Sequence, residues 1–323
     1  MTQSYDIIGI GNAIMDVIAP MPESFLSEYG IPKGGMSLID EARALQLTEA
    51  MSQGSPTEIA GGSGANTIVG AAMLGAKTAY IGVVADDDMG QRFASSLRAN
   101  GVDYTTPAQT DGLSTARCLI AVTPDGERSM NTFLGASTQF RASQLDDAAI
   151  AASKIVYLEG YLFDSDAAKD AFVRAAEIAR AAGNKVALTL SDSFCVDRHR
   201  ISFAHLIEHH IDILFANEAE ITSLYETDFD SAAQRLAGYG VLAALTRSEK
   251  GSVIIHGDQR YVIDAVPVEN LVDTTGAGDQ YAAGFLAAYA RGDALELCGK
   301  WGSACASEVI QHYGARPEGK VTL

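Results

Sequence analysis

The sequence predicts an α/β fold in three layers, with helices on both faces of a mostly parallel central sheet and a small β-sheet beside it. Three observations carry this reading. From residue 154 onward, short apolar runs alternate with helical stretches, the pattern of a parallel sheet buried on both faces. Two early regions, about 13–40 and 112–135, break that rhythm, and the second alternates polar with apolar residues around TPDGE, a hairpin signal. No internal repeat, low-complexity tract or linker interrupts the 323 residues, so 1–323 reads as a single domain carrying a small β appendage.

The elements follow in order. YDIIGIGNAIMDVIA (5–19) gives an apolar strand, a glycine bend and a second apolar stretch with Asp16 inside it. Turn residues around Gly34 and Gly35 precede a helix at 41–52, and GGSGANTIVGAAMLGA (61–76) is a glycine turn feeding a small-residue helix. KTAYIGVV (77–84) is a strand, 88–99 a helix, and 114–122 with 127–134 the hairpin. Strand 154–160, helix 166–181, strand 185–190, helix 200–209 and strand 211–217 then succeed one another. Helices 218–225 and 230–239, strands 241–246 and 251–256, and helices 278–291 and 294–311 complete the chain.

Lysine and arginine number 23 against 41 aspartates and glutamates, a net charge of −18. Such a chain offers no electrostatic footprint for DNA, RNA or anionic lipid, so neither nucleic acid nor membrane is an expected partner. An anionic ligand would need local help from backbone N–H groups, a few basic residues or a metal ion. Cys118, Cys195, Cys298 and Cys305 form no CxxC pair and read as small buried hydrophobes in a reducing compartment. The N-terminus lacks a basic region and carries Asp6 in its first apolar stretch, unlike a signal peptide. The apolar run YAAGFLAAYA (281–290) falls short of the ~20 residues that span a bilayer. A cytoplasmic location is expected, and the residues leave monomer or homodimer open.

The sharpest local feature is DTTGAGDQYAAGFLAAYARG (273–292). Gly276, Ala277 and Gly278 stand at the head of a helix, with no bulky side chain to keep a ligand away. The unsatisfied N–H groups there make an anion hole. Asp279 sits at its mouth, which is electrostatically unfavourable if phosphate binding is the whole task. A hydroxyl hydrogen-bonded to Asp279 and aimed at a phosphoryl group accounts for the arrangement, and that is phosphoryl transfer. The helix dipole favours the ionised form, so Asp279 reads as a base that orients the nucleophile. The alternative is a capping aspartate on a tight glycine turn.

DTTGAGD resembles the C-terminal signature of the ribokinase-like, or PfkB, carbohydrate and nucleoside kinases, and GGSGANTIVGAAMLGAKTAYIGVVADDDMG (61–90) is similar to the family's other signature. The likeness covers nearly the whole chain in the right order. Within the family it is greatest to the adenosine kinases, through GNAIMDVIA (11–19), YLEGYLF (157–163), TLSDSF (189–194) and IDILFANEAE (211–220). The resemblance implies a ribokinase-like fold whose β appendage is a lid over the site. It also implies phosphorylation by ATP of a primary hydroxyl, here the 5′-hydroxyl of adenosine, giving AMP and ADP in purine salvage.

The resemblance also implies roles for particular residues. Asp16 would hold vicinal ribose hydroxyls, which suit the two acceptor oxygens of a carboxylate. Asn12, Gly62 and Asn66 match other sugar contacts, and Tyr161, Phe163 and Phe133 are candidate faces for a base. Arg128, with Arg117 in support, matches a lid arginine that reaches the transferred phosphate; from the residues alone it is a solvated hairpin charge. Asn217 and Glu220 resemble the NxxE motif linked to Mg²⁺ bound with ATP, through water for a cation that keeps its own. Asn at an N-cap with Glu three residues on is also a capping box. Thr246, Gly251 and Thr275 fall on the ATP side. Thr189 stands where adenosine kinases commonly have Asn, while Gln280 and Tyr281 replace commoner residues and should alter packing rather than chemistry. Dependence on K⁺ stays open.

Rival readings remain at this point. IPKGGMSLID (31–40) supplies glycines where base-contacting side chains are expected, which keeps a sugar kinase, or an inosine or guanosine kinase, in play. A non-catalytic nucleoside sensor would have no need of Asp279 beside a phosphate hole. Gly9 and Gly11 begin a dinucleotide-binding turn, but Ile14 occupies the third glycine position. His205, Glu208 and His209 spell H-x-x-E-H; with no third ligand at hand they read as one face of an amphipathic helix.

Overall fold

A nine-stranded sheet runs through the computed structural model, which describes residues 4–323. From β1 (Tyr5–Ile10) the chain crosses to a second sheet through β2 (Ile14–Pro20), α1 (Glu23–Tyr29), β3 (Met36–Leu38), α2 (Glu41–Met51) and β4 (Thr57–Gly61). It returns through α3 (Ser63–Met73), β5 (Thr78–Ile81), α4 (Asp88–Ala99) and β6 (Val102–Asp103), then adds β7 (Ala116–Val122) and β8 (Arg128–Phe133) to the second sheet. After α5 (Asp147–Ala151) come β9 (Ser153–Glu159), α6 (Asp166–Ala181), β10 (Lys185–Thr189), α7 (Ser193–His209) and β11 (Ile213–Asn217). Then follow α8 (Glu218–Tyr225), α9 (Phe229–Tyr239), β12 (Leu242–Thr246), β13 (Ser252–His256), β14 (Gln259–Ile263), α10 (Ala277–Arg291) and α11 (Leu295–Val309).

The large sheet has the order β14-β13-β12-β11-β10-β9-β1-β5-β6. From β12 to β6 neighbours are parallel, while β13 and β14 are added antiparallel at one edge. Its central strands are near-unbroken apolar runs, IIGI, IVYL and ILFA, because helices cover both faces. α3, α4, α10 and α11 pack on one face around Ile68, Phe93 and Phe285. α5 to α9 pack on the other around Phe172, Phe203 and Ile221. This is the three-layer arrangement that the sequence predicts. No helix among the described residues is long and apolar enough to cross a membrane.

The small sheet has the order β3-β8-β7-β2-β4. One of its faces packs Val17, Ala19, Leu119 and Ala121 against Phe25, Leu47 and Met51 of α1 and α2. It also takes in 57–61, where sequence reading finds no strand because TEIAG is short and mixed in polarity. α7 begins at Ser193 rather than at 200. Asp192 accepts a hydrogen bond from Cys195 N at 2.5 Å and so caps an extra turn. The chain leaves helical geometry at His199 (φ −124, ψ 20), and the regular periodicity resumes only beyond that point.

Candidate active site

The starts of α3 and α10 and the segment after α11 converge. Gly276 turns the chain into α10 with φ +80, and a β-carbon there would come within 2.6 Å of Ala315 Cα, so the position demands glycine. The first-turn N–H groups of α10 lack intrahelical partners and give a positive helix end at Ala277, Gly278 and Asp279. A β-carbon on Gly278 would meet nothing within 4 Å. Room and charge together suit a phosphate.

Asp279 accepts a hydrogen bond from Ser63 Oγ at 2.6 Å, and Asn66 Nδ2 donates to its other oxygen at 3.5 Å. Both come from the first turn of α3, which Gly62 precedes as its N-cap with φ +89. Burial pushes the Asp279 carboxyl up to about 6, while the bonds from Ser63 and Asn66 and the charge of Arg316 pull it down. Burial thus opposes the pull of the helix dipole on the Asp279 carboxyl.

Asp16 lies on the open face of the small sheet, and strand register sets its neighbours. One row crosses the sheet as Ile59, Asp16, Cys118, Thr132 and Leu38, and the next carries Ile18, Ile120, Met130 and Met36. A β-carbon on Gly61 would strike the Asp16 carboxylate. Burial raises the Asp16 carboxyl to about 6; Arg128 and Arg316 oppose the rise and the charge of Asp279 adds to it. The two carboxylates therefore stand in one electrostatic neighbourhood.

Arg128 forms an ion pair with Asp273, and its Nη1 donates to Thr275 Oγ1 at 3.4 Å. Its side chain is 13% exposed, which removes the solvated-hairpin reading. Asp273 also accepts from Thr275 N at 2.9 Å and Thr275 Oγ1 at 2.7 Å, so it organises the turn ahead of α10. Against burial, those bonds and the Arg128 charge hold its carboxyl below the usual range. Arg117 is engaged elsewhere: Nη2 donates to Ser114 Oγ at 2.9 Å, and the guanidinium lies over the Phe133 ring.

Other residues take places that the sequence did not suggest. Asn12, implied as a sugar contact, is buried and donates from Nδ2 to Glu159 at 2.9 Å. Glu159 also accepts from Gly64 N at 2.7 Å, and burial pushes its carboxyl up to about 7. β-carbons on Gly11 or Gly64 would strike that carboxylate, so glycines of two motifs make room for it. The signal was a lone acid at the end of an apolar strand in YLEGYLF. Phe163 stacks on Phe203 in the core with centroids 4.5 Å apart, and Phe133 packs in the core of the small sheet; neither presents a face to a base. Tyr161 donates to Ser191 O at 3.3 Å and feels the charges of Asp192, Asp279 and Glu220.

Thr189, Asn217 and Thr246 end three adjacent parallel strands, the sheet edge where open α/β folds bind ligands, and Gly251 turns with φ +79 into β13. Asn217 and Glu220 form the reciprocal cap. Glu220 N donates to Asn217 Oδ1 at 2.8 Å, while Asn217 Nδ2 and N donate to the two Glu220 oxygens at 2.6 Å and 3.0 Å. With both oxygens engaged, a magnesium ion carried by ATP would meet Glu220 only through water. Gln280 Nε2 donates to Asn66 O at 3.1 Å and Ala315 O at 2.8 Å, tying α10 to α3 and to the segment beyond α11. From that segment Arg316, which sequence reading missed, donates from Nε to Asn66 Oδ1 at 3.0 Å.

The model of the pfkB family carbohydrate kinases matches residues 34–320. A nucleoside kinase from Methanothermobacter thermautotrophicus is 31% identical, over 98% of this chain and 93% of its own. The crystal structure of adenosine kinase from Sinorhizobium meliloti matches with a TM-score of 0.91 at 49% identity, covering 98% of this chain and 97% of that one. A probable sugar kinase from Rhizobium etli CFN 42 matches with a TM-score of 0.91 at 45% identity, covering 99% and 96%. The fold is ribokinase-like, and a helix start with unpaired N–H groups that carries the half-buried Asp279 carboxylate suits phosphoryl transfer. On these grounds the chain belongs to the pfkB family of carbohydrate kinases and is an ATP-dependent phosphotransferase.

Proposed function

We propose that the protein transfers the terminal phosphoryl group of ATP to the 5′-hydroxyl of a ribonucleoside, with adenosine preferred, in a cytoplasmic purine-salvage reaction. The observation that carries this reading is the mostly apolar row around Asp16, which exposed Ile59 and Leu38 and buried Cys118 share with Thr132. Two ribose hydroxyls satisfy the oxygens of a carboxylate, and a flat base needs apolar faces beside them. A free sugar would leave that surface uncovered. The glycines of 31–40 are no obstacle, because Met36 and Leu38 just beyond them are 40% and 50% exposed. Relatives named nucleoside kinase and adenosine kinase support the same reading.

In this reading Asp16 grips the ribose and leaves its 5′-hydroxyl beside Asp279. The hydroxyl gives its proton to Asp279 as its oxygen bonds to the terminal phosphorus, and the bond from that phosphorus to ADP breaks. The start of α10 and Arg128 stabilise the charge on the transferred group. Magnesium bound with ATP supplies neutralisation of phosphate charge. The small sheet would act as a lid that excludes water.

Adenosine, inosine, guanosine, ribose and fructose, each offered with Mg-ATP and read as ADP release, test the proposal. Turnover should be highest with adenosine. Turnover with ribose or fructose and none with any nucleoside would replace this reading by the sugar-kinase one, which the Rhizobium etli likeness favours. Binding of nucleoside without turnover would make the protein a sensor.

A further inference from the structure

We propose that Arg316 is a positioning residue for the reaction: it fixes the Asn66 amide against Asp279 and supplies the positive charge that lets Asp16 and Asp279 stay ionised together. The inference rests on the kinase reading above and adds to it a residue outside both sequence motifs.

Geometry gives the first half of the argument. Arg316 donates from Nε to Asn66 Oδ1 at 3.0 Å and from Nη1 to Ser96 Oγ at 3.3 Å. A guanidinium only donates, and an amide has one accepting end and one donating end. With Oδ1 held by Arg316, Asn66 must turn Nδ2 toward the Asp279 carboxylate, where it donates at 3.5 Å. Without Arg316 the amide could flip and set its oxygen against the base.

Charge gives the second half. The groups facing Arg316 are Asp16 on β2, Asp279 on α10 and Tyr80 on β5, with Asn66 on α3 and Ser96 on α4. Asp279 also faces Ser63, and its charge acts on Tyr157, Glu159 and Tyr161, none of which is a cation. Arg128 acts on Asp16 but is paired with Asp273. Arg316 has no ion-pair partner within 4 Å among the described residues, and its Nη2 is buried without a hydrogen-bond partner. Its charge is therefore available to both carboxylates at once, and burial that lowers its own affinity for a proton to about 10 leaves it charged at neutral pH.

The sign follows from the charge. A nearby cation favours the ionised carboxylate, so removing it raises the pH at which Asp279 loses its proton. The test is the pH profile of kcat/KM with adenosine and Mg-ATP for the wild type, Arg316→Met and Arg316→Lys, with circular dichroism to verify folding. Arg316→Met should move the acid limb upward by about half a unit or more. Arg316→Lys should return the limb to the wild-type position yet keep a reduced plateau, since ammonium is a point charge without the planar fork. Arg316→Gln keeps a donor for Asn66 without charge; it should shift the limb as Met does, and it serves if the Met variant fails to fold. A limb unmoved in the uncharged variants overturns the proposal, as does a Lys variant that shifts as far as they do. A wild type active on ribose alone would overturn the nucleoside reading instead, and the same profiles would then be measured with ribose.

Discussion

Arg128 of the small sheet and Asp273 of the turn before α10 form a buried ion pair that ties the small sheet to that turn. Three carboxylates, Asp16, Asp273 and Asp279, and two arginines, Arg128 and Arg316, thus share one neighbourhood in a protein whose overall charge is −18. Removing one member of a buried pair leaves the other charge uncompensated, and here the same arginine lies beside the turn before α10. We expect Arg128→Met to lower kcat by about 10²-fold, with partial recovery in Arg128→Lys. Initial rates at saturating Mg-ATP check this, and a loss confined to thermal stability would remove Arg128 from charge stabilisation.

Asp279→Asn should lower kcat by at least ~10²-fold with little change in KM for the nucleoside, because the lost interaction belongs to the transition state. Steady-state kinetics of the purified variant are decisive, and near wild-type turnover would take Asp279 out of the mechanism.

The base must be ionised to accept a proton. With its carboxyl pushed up to about 6 by burial, activity should fall as pH drops through that region. Ser63→Ala removes a hydrogen bond to the charged form, so the acid limb should move upward while the plateau near pH 8 changes less. A pH–rate profile of both proteins gives the answer.

Gly61→Ala places a methyl group against the Asp16 carboxylate and must displace it, which on the proposed function weakens the grip on ribose. KM for the nucleoside should rise about tenfold or more, with a smaller effect on kcat. Calorimetric titration of nucleoside into the variant measures the loss directly.

Glu159 has a folded value of about 7 against 4.5 for the free side chain. A carboxyl raised by folding contributes its stability in full below the unfolded value, and that contribution is lost as pH rises through the folded one. The unfolding midpoint should therefore decline between about pH 5 and 8, and the decline should be shallower in Glu159→Gln. Asp16, Asp279 and Glu220 are raised in the same direction, so part of the slope should persist. Thermal melts across that window compare the two.

What could be read from the sequence was local. The turn at Gly276, the acid that follows it and the Asn217–Glu220 cap each lie within four consecutive residues, and their chemistry is set by that spacing. The alternation of apolar strands with helices likewise declares the large sheet. Contacts between distant segments leave no such trace. Asn12 meets Glu159 across 147 positions, and Arg316 meets Asn66 across 250, so neither partner could be named from its neighbours. The surface around Asp16 depends on strand register, and β4, which supplies Ile59, is too brief for its period to show. A polar residue after a glycine bend, such as Asn12, does not declare which carboxylate it will meet.

The segment after α11 reaches back to the turn before α10. Gly314 N donates to Asp273 at 3.3 Å, Ala315 lies over Gly276 and accepts from Gln280, and Arg316 reaches Asn66. During translation the strands and most helices can form while these three residues are still inside the ribosome. A nascent polypeptide therefore lacks the last contacts of the turn before α10 until this stretch has left the ribosome, although most of its core can already be in place.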